Sequence, residues 1–315
     1  MTYGGMYYGI YAQEVTDDLI DRIRKNESPS ILLITELHPN LRSQFVEAFK
    51  SNTSTKELRF RHFTPKDDIG GVIGDIIQAN KTLDAIDAVE CGIDEIGAKK
   101  IAKGLRGNTA LRELDICSLH DVFSEYERNC IGNGGFTALA MASNSSNLSV
   151  LDVRGWHNQI DDDGAGRAAS HFKNNHQLTE LRIGQGHYTC PYMINTPGTN
   201  DLLRAFQNSK NIVYVEGSPE LETAFSELCR TNRMAAHELI DKMLEGIDNL
   251  THADIQEMRE RRPAIMAVAR HNEKNGERDI DQLNAILDKI LEPDIAADTT
   301  MVSRVAKGQQ PRRLA

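Results

Sequence analysis

No stretch of the sequence approaches the roughly 20 apolar residues that a membrane-spanning helix needs, so no helical membrane span is expected. Cysteine is scarce. The five present, Cys91, Cys117, Cys130, Cys190 and Cys229, are odd in number and include no CxxC pair. That excludes a disulfide framework or a structural zinc site and fits a reducing, cytoplasmic setting. The chain also lacks a surplus of basic residues: 36 Lys and Arg stand against 46 Asp and Glu, for a net charge of -10. Non-specific binding to nucleic acid or to anionic membranes draws on the opposite balance, so basic partners are favoured. The first 13 residues are rich in Tyr and Gly and have no basic segment leading into an apolar run, which is not the pattern of a secretory signal.

What the sequence does have is an internal repeat. Its strand half carries apolar residues at positions one, four and six, as in Leu83/Ile86/Ala88, Leu111/Leu114/Ile116, Leu148/Leu151/Val153 and Leu178/Leu181/Ile183. Its helix half runs apolar-xxx-Gly-xxx-apolar-xxx-apolar-xx-Asn, as in Ile93, Gly97, Ile101, Leu105, Asn108 and again in Ile160, Gly164, Ala168, Phe172, Asn175. Ile194, Gly198, Leu202 and Phe206 repeat it, with Ser209 in place of Asn. Two earlier units lack the Gly: Leu37, Leu41, Phe45, Phe49, Asn52, and Ile69, Ile73, Ile77, Asn80. Strand halves starting at 29, 55, 83, 111, 148, 178 and 212 predict seven strands. Within each unit the apolar period changes from two to about four, which reads as strand then helix. One unit cannot bury its apolar edge alone, so the units must stack.

These residues resemble the ribonuclease-inhibitor-like leucine-rich-repeat class, and in pattern the tropomodulin repeat domain, with Leu178-Thr179-Glu180-Leu181-Arg182-Ile183 and the following 200–211 segment similar to that family's penultimate repeat. The resemblance covers about residues 16 to 233. It implies an α/β solenoid: a right-handed superhelix with a parallel sheet on the concave face, helices outside and a helical C-terminal cap. For function it implies protein binding, since the class includes enzyme inhibitors, GTPase regulators, actin-filament cappers and immune receptors. The divergent, insertion-bearing units also resemble leucine-rich-repeat effectors of intracellular bacteria, for which the host cytosol would be the site of action. Departures from tropomodulins are the absence of a long N-terminal extension for tropomyosin- and actin-binding helices, and an extra C-terminal segment.

Four regions are expected: an N-terminal arm over 1–15, the solenoid over 16–233, a helical region over 234–292, and a mobile basic tail over 293–315. Val15, Leu19, Ile23 and Asn26 predict a capping helix over 16–26. Helices are predicted over 234–247, after a Thr251/Asp254 capping box, where Pro263 starts or interrupts a helix, and over 278–292, where Ile280, Leu283, Ile286, Leu287, Ile290 and Leu291 form one stripe.

Strand positions three, five and seven are expected on the open face. Position three reads Glu57, Ala85, Glu113, Val150, Glu180, Tyr214; position five reads Arg59, Asp87, Asp115, Asp152, Arg182, Glu216; position seven begins Arg61, Val89, Cys117, Arg154, Gly184. Parallel strands lie about 4.8 Å apart, so three stacked aspartates repel by nearly 1 kcal/mol per pair even in water, and fold stability gains nothing from them. The reading is an acidic centre, Asp87, Glu113, Asp115 and Asp152, bounded by Arg59, Arg61, Arg154 and Arg182 and shaped for a basic patch of a partner protein. Reversing Asp115 and Asp152 should then cost binding and not stability.

The loops leaving the strands carry His62 and Phe63, His120, Trp156 and His157, then His187 and Tyr188, a candidate aromatic rim enlarged by insertions over 119–129 and 185–196. The partner surface therefore adds Trp156, His157, Glu180, Tyr188 and Tyr214, with regulation of an actin filament or a GTPase as the alternative role. Enzyme readings are weak. Asp161–Asp163 beside His157 read as helix N-terminal charge rather than metal ligands, His187 with Cys190 lacks an orienting third group, and Gly132, Gly134 and Gly135 are out of phase for a phosphate loop. The chain is expected to act as a monomer without cofactor, metal or nucleic acid.

Overall fold

In the computed structural model, residues 12–118, 128–184, 193–245, 249–274 and 280–291 are described. The N-terminal arm up to residue 11, the tail, and residues 119–127 and 185–192 of the two large insertions, with them His120, His187, Tyr188 and Cys190, lie outside the described residues.

Eight parallel strands form one sheet in chain order: β1 (Ala12–Glu14), β2 (Ile31–Glu36), β3 (Glu57–Phe60), β4 (Ala85–Asp87), β5 (Glu113–Asp115), β6 (Val150–Asp152), β7 (Glu180–Arg182) and β8 (Tyr214–Glu216). Seven were expected. The extra one, β1, lies in the segment read as an arm, where no apolar repeat marks it; its backbone pairs with Leu33, Ile34 and Glu36 of β2. Helices fill every crossover: α1 (Asp17–Arg24), α2 (Arg42–Phe49), α3 (Ile69–Ala79), α4 (Glu95–Leu105), α5 (Gly132–Ser143), α6 (Asp162–Phe172) and α7 (Thr196–Phe206). Strand and helix alternate because apolar positions four and six of each strand and the inner stripe of each helix share one core. Leu58, Leu114, Leu151 and Leu181 are fully buried, as are Ile101, Leu105, Phe136, Leu202 and Phe206.

The repeat asparagines close the corners between helix and next strand. Asn108 Nδ2 donates to Ile77 O and Asn80 O at 2.5 and 3.1 Å, and its Oδ1 accepts from Ala110 N and Leu111 N at 2.9 and 2.8 Å. Asn80 does the same one unit earlier, to Phe49 O and Asn52 O. Each amide thus satisfies backbone groups that would otherwise be buried without partners. A second column stands at the other end of the strands. Asn129 Nδ2 donates to Ala88 O, Ile116 O and Cys117 O, and Asn158 Nδ2 to Ile116 O and Val153 O. Asn129 Oδ1 accepts from Cys91 N and Ile93 N.

The chain divides into two compact units, the first ending with residues 215–225 and the second made of 209–214 and 226 onward. Helix α8 (Pro219–Glu245) begins well before the helix expected from residue 234 and runs through Arg233-Met234, where no Gly or Pro interrupts it. The second unit holds the rest of α8 with α9 (His252–Glu260), α10 (Arg262–Lys274) and α11 (Ile280–Leu291). Its core gathers Ile240, Met258, Ile265, Leu287 and Ile290, so the apolar stripe of α11 is spent inside this unit. Thr251 and Asp254 form the expected capping box, and Pro263 sits at the start of α10. Among the described residues no helix is long and apolar enough to cross a membrane.

Candidate functional site on the open face of the sheet

The strand register is unbroken across the centre of the sheet: Arg59 pairs with Asp87, Asp87 with Asp115, Asp115 with Asp152, and Asp152 with Arg182. Position three is likewise aligned through Glu57, Ala85, Glu113, Val150 and Glu180. Because the neighbours Leu58, Ile86, Leu114, Leu151 and Leu181 point into the core, these rows face the other way, as period two demands.

The arginines do more than bound the carboxylates. Arg61 grips Asp87 with both guanidinium nitrogens, at 2.7 and 2.5 Å. Arg59 donates to Glu57 on its own strand at 2.5 Å. Arg154 holds Asp152 through Nη2 at 2.6 Å and Nε at 3.0 Å, and also reaches Glu216. Arg182 bonds Glu180 at 2.8 Å and lies 3.6 Å from Asp152. Burial opposes the charge of Arg154, but Asp152 and Glu216 outweigh it and its affinity for its proton is raised. Asp152 itself is only 1% exposed. This corrects the expectation for paired charge reversal: changing Asp152 strands Arg154 and Arg182 beside a like charge in a buried place, which is costly.

Asp115 is the exception in the row. It is half-buried, and among the described residues no lysine or arginine forms an ion pair with it. Its Oδ1 accepts from Cys117 N at 2.9 Å. Burial foremost, then the Asp152 and Asp87 carboxylates, push its carboxyl up to about 7. Around it stand short or apolar side chains: Ala85 and Val89 on the side of β4, Val150 of β6, and Cys117 on its own strand, the last only 2% exposed. The Cys117 thiol is driven far upward by burial and by Asp115 and Asp152. One oxygen of each aspartate and the Cys117 sulfur lie within 4.8 Å of one another. Arg154 already serves the Asp152 side of that group, so a metal ion would compete with a fixed guanidinium there.

At the rim, Trp156 and His157 occupy a short turn, with ring centroids 3.6 Å apart. Arg128 lies over the Trp156 ring at 5.8 Å, and its Nη1 is 3.4 Å from His157 Nδ1. His157 Nε2 is buried without a partner, and burial followed by Arg128 lowers its pKa to about 4. The turn is anchored by Gly155, whose φ of 101° admits no ordinary side chain. A Cβ there would fall 1.9 Å from Ser118 O. Phe63, expected on this rim, is instead core, 3% exposed and edge-on to Phe60 at 5.9 Å. Asp161 caps α6, accepting from Asp163 N and Gly164 N, so the aspartate run serves the helix start. Tyr214 is 41% exposed. The cavity beside Trp156, lined also by Ile160, Ile183 and Leu221, measures about 10 Å³, at or below the room one water needs.

The sequence reading missed the Asn129/Asn158 column and the role of Arg128. The first was open to detection, because Asn129, Asn158 and Cys91 all stand two residues before the first apolar residue of a helix half, Ile131, Ile160 and Ile93.

No family model matches the chain, and no curated protein matches it. Among solved structures, the actin-binding site 2 of leiomodin-1 aligns over 74% of this chain and 96% of its own, at 11% identity and a TM-score of 0.29. The C-terminal domain of a Caenorhabditis elegans tropomodulin aligns over 70% of this chain and 99% of its own, at 11% identity and a TM-score of 0.36. Likenesses this loose carry no functional weight; the repeat architecture rests on the strand register and the asparagine columns.

Proposed function

We propose that this chain is a protein-binding scaffold, not an enzyme, and that the open face of its sheet receives a lysine or arginine of the partner at Asp115. The observation that carries the reading is the contrast within one row: Asp87 and Asp152 each hold an arginine of this chain, and Asp115, between them, holds none among the described residues. A partner cation would complete the alternation, and the apolar side chains of Ala85, Val89 and Val150 at neighbouring strand positions are of the kind an aliphatic stem packs against. Complementary charge of this kind sets register and excludes wrong partners more than it adds affinity. Trp156, His157 and Arg128 supply larger contact surfaces of the type that dominates interface energetics.

The test is recovery of interacting proteins from lysate by wild-type chain, by D115R and by D75R, the last on the helix side at exposed Asp75 of α3. A specific partner should be lost with D115R and kept with D75R; equal recovery by both variants would reject the reading. The tropomodulin-like repeat pattern makes pointed-end actin elongation the first defined activity to assay, and a GTPase rate the second.

A further inference from the structure

We infer that Asp115 holds a proton against Asp152 at the centre of the open face, and that a docking lysine or arginine side chain displaces this proton. The docking half rests on the proposed function above; the proton itself is a property of the free chain.

The geometry comes first. Among the described residues, both strands beside Asp115 and its own strand present a carboxylate to it, and the arginines of the row are committed elsewhere. From β4 comes Asp87, both of whose oxygens are taken by Arg61. From β6 comes Asp152, sequestered and held by Arg154, with Arg182 of β7 beyond it at 3.6 Å. On its own strand Asp115 has Glu113 two residues before and the Cys117 thiol two residues after. An oxygen of Asp115 and one of Asp152 lie within 4.8 Å of each other, and two carboxylates at that separation in a place water reaches poorly are relieved by a single proton, which removes the like-charge repulsion. The proton belongs on Asp115 because the arginines of the pair are on the Asp152 side. The raised carboxyl of Asp115 agrees with this placement.

Binding then balances simply. The Asp115 carboxylic acid and a partner ammonium become a carboxylate–ammonium pair, and one proton passes to solvent. The face gains affinity for a basic side chain as pH rises through neutrality, and the same basic side chain lowers the pH at which the proton leaves. No metal or redox step is involved.

The first experiment is a carbon-detected carboxyl titration of the full chain, wild-type, D115N and D152N. One aspartate resonance should titrate near neutrality in wild type, vanish in D115N, and move down by at least one pH unit in D152N. If all aspartates titrate below about pH 5, or if the near-neutral resonance survives D115N, the inference fails. Should D152N not fold, the wild-type and D115N spectra still decide. The second experiment measures binding of a tetralysine peptide by the same three proteins. Between pH 6 and pH 8 wild-type affinity should rise about 10-fold, as the competent fraction rises from roughly one-tenth to nine-tenths, and D115N should show no such rise. A near-neutral titration with pH-independent tetralysine binding would overturn the displacement and count against Asp115 as the docking point, while leaving the proton in place.

Discussion

At the residue scale the informative comparison is between Asp115 and Asp152, two aspartates paired in register on adjacent strands that have opposite worth. Asp152 is 1% exposed and its oxygens receive three hydrogen bonds from the Arg154 side chain. Removing its carboxylate leaves the largely buried Arg154 guanidinium with Glu216 alone, so D152A should cost about 3 kcal/mol, as breaking a buried pair does. Asp115 instead suffers burial and two like charges with no cation in return. Its carboxyl lies above the ordinary 3.8, so the folded chain holds this proton more tightly than the unfolded chain and loses stability as pH rises from about 4 through 7. At about pH 8 the asparagine of D115N removes that penalty, and the variant should be more stable than wild type by on the order of 2 kcal/mol. Urea denaturation followed by Trp156 fluorescence measures both variants in the unit that contains them. A destabilised D115N at pH 8 would mean that Asp115 has a cationic partner after all. The sequence alone exposed the stack of like charges but not this asymmetry, because Arg154 and Arg182 could have faced either way and only coordinates say which carboxylate they hold.

At the element scale the repeat is held by its corners as much as by its core. Asn108 makes four hydrogen bonds to backbone groups of its own and the preceding unit, and it is 2% exposed. N108A leaves two carbonyls and two amides unpaired in a dry site; several such groups at 1–3 kcal/mol each, partly relieved by water, give an expected loss of about 3–4 kcal/mol. N108D should be at least as damaging, since it exchanges two donors for a buried charge facing carbonyl oxygens. Loss of either by less than about 1 kcal/mol would show that the corner is not structural. Adjacent helices impose their own limit: a Cβ on Gly104 would lie 2.1 Å from Gly74 O, a backbone contact that cannot move aside. G104A should therefore destabilise the chain although alanine is the better helix former by roughly 1 kcal/mol. Much of this scale was legible beforehand. The Asn and Gly offsets repeat at fixed distance from the apolar stripe, and a periodic signal identifies every unit at once. Strand β1 was not legible, because three residues, Ala12 to Glu14, carry no period. The early start of α8 escaped because the Asn232 corner looks like the end of a unit; its Nδ2 does bond Ser209 O and Ile212 O, while the helix simply runs on.

At the scale of the whole molecule, Asp115 and His157, both in the first unit, set opposite slopes on its stability, and the pH profile should separate them. Burial and Arg128 hold His157 at about 4, below its ordinary 6.5, so the unfolded chain binds this proton first and stability falls as pH drops from about 6.5 through 4. Asp115 works the other way over the range from about 4 to 7. Each group exchanges one proton, so between about pH 4 and 6.5 the slopes nearly cancel, and above that Asp115 alone makes stability decline towards pH 7. Wild type should show a plateau followed by a fall. D115N should instead climb from pH 4 to about 6.5 and then stay level, and H157Q should decline across the whole interval. The single tryptophan makes this measurable without interference, because Trp156 reports on the first unit. In the second unit Asp254, lowered to about 2 by Lys242 and Thr251, loses its contribution only as pH falls below about 4, outside this window. A wild-type profile rising steadily to pH 8, or D115N and H157Q profiles with the same slope, would separate the stability of this sheet from the proton on its open face and return the aspartate row to the status of solvated charge.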